Sequence, residues 1–406
     1  MSILCPCAAS SSGASSGAEA KYSVGRGNKL SAEQVSRQID RQLKADRELR
    51  RHERRILLLG TAASGKSTFL RSMRIIHEDR FSEQELLSFK SVIYCNIWRG
   101  LMKLLYVKKR LGIRWENNKT GVPAVKALLA LEKEIGHSAL MACGLREDQF
   151  LRAAPFIQVL WCDAGVREAF ERRHSVPGDE EFKDVGENLD YYLNRLKSIS
   201  VVNYRPTDAH ILHSRRFTDS VFEKCLLYEG VPLRIIDIGG HTNERRKWSK
   251  TLRIFQGELQ SVIYIIACST FNETYTKASG ELINKLDESF LCLRHLLDVK
   301  SELFTRDMNL IVFFNKDDLF SYKIASLRVD YSKFDSTFPA DRFDPLDLGQ
   351  VREHLIRRLT TVVPPNRQLR RYTHFTTSID LSNVRRVFRD IRDTVMLNFL
   401  REALPA

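Results

Sequence analysis

The chain predicts an α/β fold: a doubly wound, mostly parallel sheet interrupted by an all-helical insert. Three observations carry this reading. The apolar run Ile56-Leu57-Leu58-Leu59 leads directly into Gly60-Thr61-Ala62-Ala63-Ser64-Gly65-Lys66-Ser67, a strand feeding a glycine-started loop and then a helix. From about Ser82 to Val201 apolar residues recur at helical spacing, with little strand signal. Beyond Val201, short apolar runs alternate with helical patterns, as buried parallel strands and their crossover helices do.

Taken in order, residues 1–30 are rich in Ser, Ala and Gly and read as a disordered tail. Residues 31–55 read as an N-terminal helix, opened by Ser31 with Gln34 as its capping-box partner. Its apolar stripe (Val35, Ile39, Leu43, Leu49) is thin, which suits a solvated helix or one lending a narrow face to a partner protein. Residues 56–80 hold the first part of the α/β domain, with a helix from Lys66 to about His77. Residues 81–204 form the helical insert. Ser82 and Glu85 make a second capping box, Leu86, Phe89, Ile93, Ile97, Leu101, Leu104 and Leu111 give the apolar stripe, and Gly112 suits the stop. Further helical patterns cover about Val122 to Ile135, Glu147 to Leu160 and Asn188 to Ser198. Residues 205–406 return to α/β character. Strands are expected over Val221 to Tyr228, Leu233 to Asp237, Val262 to Cys268 and Leu310 to Phe314, and helices over about Ala278 to Leu297, Leu348 to Leu359 and Ser382 to Leu400.

At 406 residues the chain has room for two or three cored domains, and 43% hydrophobic with 28% charged residues is an ordinary soluble composition. No apolar run is long enough to span a membrane, and the N-terminus lacks a secretory pattern. The net charge of +14 favours an anionic membrane surface over nucleic acid, because arginines cluster at 47–55 without any zinc-finger or RNA-binding spacing. Cys95, Cys143, Cys162, Cys225, Cys268 and Cys292 mostly sit in apolar segments and read as reduced core residues of a cytosolic protein. Cys5 and Cys7 lie in the tail, where they are incidental or sites of S-palmitoylation; Ser2 excludes N-myristoylation.

Four motifs carry chemistry. The loop Gly60 to Ser67, continuing into Thr68, aims backbone N–H groups and a helix N-terminus at phosphate. Lys66 reaches outer phosphates and the Ser67 hydroxyl suits Mg²⁺. Asp237-Ile238-Gly239-Gly240 ends a strand, so a carboxylate can hold Mg²⁺ and the Gly240 N–H can meet a γ-phosphate. In Asn315-Lys316-Asp317-Asp318, the Asp318 carboxylate can accept both N1–H and N2–H of guanine, a donor pair that adenine lacks. Thr376-Thr377-Ser378 follows Tyr372 to Phe375 and occupies the place where a backbone N–H, at Ser378, would meet the guanine O6. Singly these are weak, and a P-loop ATPase is the rival reading of the first. Their order along the chain points to GTP and GDP as ligands, with Mg²⁺.

The span from Lys66 to Asp237 is too long for a small Ras-like GTPase. With its helical insert, the chain resembles a heterotrimeric G-protein alpha subunit from Ser31 onward: a Ras-like P-loop GTPase domain holding an all-helical domain. The resemblance rests on Ser67 to His77, Tyr191-Tyr192-Leu193, Asp237 to Trp248, Phe313 to Phe320 and Tyr372 to Asp380. Within the family, Ser67-Thr68-Phe69-Leu70 and Ser2 resemble the twelve/thirteen class. The resemblance implies that Arg215 is a built-in arginine finger and that Thr218 binds Mg²⁺ beside Ser67. It implies a beta-gamma dimer on the N-terminal helix and on Thr242 to Trp248, a G-protein-coupled receptor reading the C-terminal helix, and Rho guanine-nucleotide exchange factors as effectors. It also implies a peripheral place on the cytoplasmic face of the plasma membrane, with lipidated Cys5 or Cys7 and the arginines as two weak anchors.

Several residues depart from the family pattern. Its loop usually reads G-A-G-E-S-G-K-S, whereas Ala62 and Ala63 stand here. His241 stands where the family places the glutamine that orients attacking water, and Asp219 and Ser220 break the pattern after Thr218. The expectation is a GTPase signal transducer that hydrolyses slowly; the alternative is a pseudo-GTPase scaffold kept for partner contacts.

Overall fold

The computed structural model describes residues 40–41, 54–77, 80–142, 144–176, 178–179, 187–216, 222–228, 231–255, 259–277, 279–299, 308–363 and 370–391. Within these the chain runs β1 (Arg54–Gly60), α1 (Lys66–Ile76), α2 (Glu83–Arg110), α3 (Asn118–Ile135), α4 (His137–Met141), α5 (Glu147–Cys162), α6 (Ala164–Glu171), β2 (Gly178–Asp179), α7 (Leu189–Leu193), α8 (Leu196–Ile199) and α9 (Asp208–His213). It continues through β3 (Phe222–Tyr228), β4 (Val231–Asp237), α10 (Thr242–Ile254), β5 (Leu259–Ala267), β6 (Thr274–Thr276), β7 (Leu282–Asn284), α11 (Lys285–Val299), β8 (Asn309–Asn315), α12 (Asp317–Ser321), α13 (Leu348–Val362) and β9 (Arg370–Thr376). Residues 381–391 are helical.

Among the described residues the main sheet has six strands, in the order β3-β4-β1-β5-β8-β9. Only β3 is antiparallel, pairing β4 from Phe222↔Asp237 to Tyr228↔Val231. The other pairings are parallel, so the ends of β1, β4 and β8 that carry loops all emerge on one edge. The sheet is covered on both faces. Leu57, Leu59, Val262, Tyr264 and Phe314 pack with α10, α11 and α13 residues on one side. Ile56, Leu58, Ile263 and Phe313 pack with Phe69 and Met73 of α1 and Val387 and Phe388 on the other. Burial on both faces explains why these strands read as unbroken apolar runs rather than alternating ones.

The insert has its own core, built from α2, α3, α5, α6 and α7. The capping box at Ser82 is present: its hydroxyl accepts from the Glu85 N–H at 3.3 Å and Glu85 Oε2 accepts from the Ser82 N–H at 2.8 Å. Gly112, at φ +66°, follows the helix as expected. Among the described residues no helix is long and apolar enough to cross a membrane.

Five expectations need correction. β1 begins at Arg54, not Ile56, because Arg54 and Arg55 already pair with Leu233 and Arg234, and the Arg55 N–H donates to Gln260 Oε1. The rest of the expected helix over 31–55 lies outside the described residues apart from helical 40–41. The expected helix from Ala278 starts only at Lys285. Gly280 takes φ +83° between β6 and β7, and Asn284 Oδ1 then accepts from the N–H groups of Leu286 and Asp287, a cap that begins α11. The segment Asn188 to Ser198 is two short helices, and the insert contains one two-residue strand, β2, which pairs in parallel with β6 in a separate three-stranded sheet. Cys95 and Cys268 are buried as expected, but Cys162 is exposed.

Candidate functional site

The phosphate loop is shaped by its glycines. Gly60 ends β1 at φ +148°, and a Cβ there would lie 2.4 Å from the Ile265 carbonyl oxygen on β5. Gly65 takes φ +105°, and its Cβ would lie 2.0 Å from Asn315 Nδ2. Between them Ala63 is held at φ +59°, a conformation that costs an alanine some strain. The turn delivers the N-terminus of α1 to the edge of the sheet. There Lys66 Nζ donates to the carbonyls of Gly60 (2.8 Å) and Thr61 (3.0 Å), holding a positive charge over the loop. Thr61 turns its own side chain away, to within 2.9 Å of the Ser289 hydroxyl on α11.

The turn after β8 is joined to this loop through Asn315. Its Nδ2 donates to the Ser64 carbonyl at 2.7 Å, while Oδ1 accepts from the Ser378 N–H (3.1 Å), the Ser378 hydroxyl (2.9 Å) and the Thr376 hydroxyl (3.0 Å). One buried amide therefore ties three separate motifs together. Lys316 follows at φ +61° and pairs with Glu187 of the insert. Asp318 opens onto the cavity, and desolvation by its walls raises its pKa above the ordinary carboxylate value, against its nearby backbone N–H groups.

At the end of β4, Asp237 is 2% exposed, and burial pushes its pKa up to about 6 against the charges of Lys66 and Arg71. Its Oδ1 is buried with no hydrogen-bond partner among the described residues. A buried carboxylate oxygen left unsatisfied is costly, so this donor set fits a hard cation held with the Ser67 hydroxyl and ligand oxygens. Gly240 lies against the phosphate loop: a Cβ there would sit 2.4 Å from the Gly60 carbonyl oxygen and 2.5 Å from Lys66 Nζ. His241 stands at the N-cap of α10. Arg245 Nε donates to the Gly240 carbonyl and Nη2 to Glu288 Oε1, both at 2.9 Å. Trp248 Nε1 donates to the Gly239 carbonyl at 3.1 Å.

The facing wall comes from the insert and from the segment that returns to β3. Arg215 lies on this segment. Its N–H donates to Asn96 Oδ1 (2.7 Å) and its carbonyl accepts from Asn96 Nδ2 (3.0 Å). Asn188 Nδ2 donates to the His213 carbonyl at 2.8 Å. Arg71 of α1 donates to the carbonyls of Ile211 (3.1 Å) and Ser214 (2.6 Å). The His213 ring stacks on Tyr191, centroids 3.5 Å apart and planes 2° from parallel, with the Arg195 guanidinium 4.1 Å from the Tyr191 ring.

These walls enclose a cavity of about 390 Å³, within the range of small-molecule sites. It gathers Ala62, Ala63, Ser64, Gly65, Lys66, Ser67 and Thr68 with Arg215, Gly240, His241, Asn315, Lys316, Asp318 and Ser378. Gly60, Thr61 and Asp237 do not line it. Thr218, Cys5 and Cys7 lie outside the described residues. Sequence reasoning missed Arg71, Asn96, Glu187 and Asn188. For Asn96 a signal existed: an amide inside the apolar stretch Val92 to Trp98.

The family model for the G-protein alpha subunit matches residues 33–395. Guanine nucleotide-binding protein subunit alpha-12 of Homo sapiens is 33% identical over 376 residues, 92% of this chain and 90% of its own length. Subunit alpha-13 of Rattus norvegicus is 31% identical over 372 residues, 91% of this chain and 92% of its own. With the 60–68 loop, the 315–318 turn and the helical insert meeting at one cavity, the chain belongs to the G-protein alpha subunit family of GTP-binding signal transducers.

Proposed function

We propose that this alpha subunit is a GTP-loaded switch with slow intrinsic hydrolysis, resembling the twelve/thirteen class in its outputs. The observation that carries this reading is the company Arg215 keeps in the cavity: His241 and two alanines, Ala62 and Ala63. In this reading residues 60–68 hold the phosphates, with Lys66 supplying charge. Asp318 and Ser378 read guanine, Asn315 and Lys316 brace that turn, and Gly240 meets the γ-phosphate. Ser67 and Thr218, with Asp237 behind, hold Mg²⁺, which when bound neutralises phosphate charge. Arg215 stabilises charge on the transferring phosphoryl group. His241 orients the attacking water, with a different reach from an amide and a tautomer that must suit. Ala63 offers no carboxylate to pair with Arg215.

The partners in this reading are a beta-gamma dimer, a G-protein-coupled receptor and a Rho-type exchange factor. The protein sits on the cytoplasmic face of the plasma membrane, anchored through acylated Cys5 or Cys7 and basic residues. Single-turnover hydrolysis of loaded GTP tests the slow-switch claim. His241→Gln is expected to speed the step at least tenfold. Hydrolysis as fast as in an ordinary family member, with no gain from His241→Gln, refutes slow hydrolysis, and a protein that retains neither GTP nor GDP on purification is a scaffold instead.

A further inference from the structure

Each backbone polar group of Arg215 is taken by one side chain, Asn96, which lies in the middle of α2 and belongs to the insert rather than the GTPase domain. Both contacts span 119 residues of sequence and both have short, unstrained lengths. An asparagine is the smallest side chain that presents a donor and an acceptor side by side, the pattern a peptide unit requires. On the other side of the same segment, Arg71 of α1 holds the Ser214 carbonyl and hydroxyl. The backbone from Ser214 to Arg215 is thus held between one residue from each domain.

We propose that Asn96 is the positioning residue for Arg215: its amide sets where the guanidinium reaches, and so makes the arginine's action conditional on the insert being docked. This rests on the reading of Arg215 as the charge-stabilising group. The physical case is leverage. The Arg215 side chain is long and rotamer-rich, so its head is placed only as well as its backbone is. Arg71 fixes the segment against the GTPase domain up to residue 214. The next residue depends on Asn96, and separation of the insert removes both of its hydrogen bonds together. Asn96 lines the cavity wall but is itself engaged with backbone, so it acts through Arg215 rather than on the ligand.

The test is a double-mutant cycle on the full chain: wild type, Asn96→Ala, Arg215→Ala and the double variant, each loaded with GTP and Mg²⁺. Single-turnover hydrolysis is measured beside affinity for a non-hydrolysable GTP analogue and for GDP with aluminium fluoride. Asn96→Ala is expected to slow hydrolysis about tenfold and weaken the aluminium fluoride complex similarly, with analogue affinity changed less than threefold. In the Arg215→Ala background the same substitution is expected to change hydrolysis less than twofold. Asn96→Asp, isosteric and keeping only the acceptor for the Arg215 N–H, is expected to fall between, and serves if the alanine variant does not fold. An equal loss in both backgrounds overturns the proposal, since Asn96 then acts independently of Arg215. So does an Asn96→Ala protein with wild-type hydrolysis. If Arg215→Ala alone leaves hydrolysis and the aluminium fluoride complex unchanged, the reading of Arg215 fails first, and the positioning role falls with it.

Discussion

Asn315 and Ser64 stand 251 residues apart in sequence, yet the Asn315 amide donates to the Ser64 carbonyl at 2.7 Å inside the protein. The 315–318 turn and the 60–67 loop are therefore joined through one buried amide. Asn315→Ala leaves the Ser64 carbonyl and the Ser378 N–H without their partner. A buried group so exposed costs about 1–3 kcal/mol. The expected result is GDP affinity lowered at least tenfold with a lower melting temperature, read by nucleotide dissociation and thermal unfolding. Unchanged dissociation would mean that the amide is not the joint.

Gly240→Ala forces a methyl group into the Gly60 carbonyl oxygen, 2.4 Å away, with the backbone carbon of Thr61 at 2.6 Å. Backbone cannot yield as a side-chain tip can, so the segment carrying His241 must retreat from the phosphate loop. GDP binding should persist. The change in Trp248 fluorescence on adding a GTP analogue with Mg²⁺ should be lost, because Trp248 is tied to the Gly239 carbonyl in that segment. A normal fluorescence response would rule out this close approach as the trigger.

Glu187 reaches from the insert to Lys316, two residues before Asp318, and both side chains are mostly covered at 22% and 16% exposure. Glu187→Ala should speed GDP release several-fold and reduce the salt dependence of that rate. Equal release rates for both proteins at low salt would show the pair to be incidental.

Glu85 is the pH-sensitive support of α2, the helix that carries Asn96. The Arg74 hydrogen bond, helped by the Ser82 N–H, lowers its pKa to about 2, with partial burial opposing. A depressed carboxylate gives stability that is present above its unfolded value near 4.5 and is lost as pH falls towards 2. Because the side chain is 40% exposed, solvent screening limits the effect to about 1 kcal/mol or less. Glu85→Gln should flatten the fall in melting temperature between about pH 5 and 3 by one or two degrees. An unchanged profile would remove Glu85 from the acid response.

Much of this was legible because local chemistry reports itself. The apolar runs of β1 and β8, the capping box at Ser82 and the loop glycines each satisfy a constraint within a few residues, and motif order supplied the ligand. What was not legible depends on distant partners. Nothing near Arg54 shows that β4 and β5 extend β1 by two residues. The apolar stretch before Leu297 suggests one helix, while Gly280 and the Asn284 cap divide it into a hairpin and a shorter helix. Asn96 breaks an apolar stripe, but its partner lies beyond the whole insert.

The small sheet of β2, β6 and β7 has a mechanical consequence. β2 belongs to the insert, and its pairs Gly178↔Tyr275 and Asp179↔Thr276 join it to a hairpin that runs directly into α11. The two lobes are thus stitched by main chain outside the cavity lining itself. A parallel seam only two residues long resists sliding more than peeling, so a lobe that swings away unzips the seam from one end. The same hairpin leads straight into α11, whose Ser289 hydroxyl touches Thr61 of the 60–67 loop, so continuous main chain and that one contact join the seam to the loop.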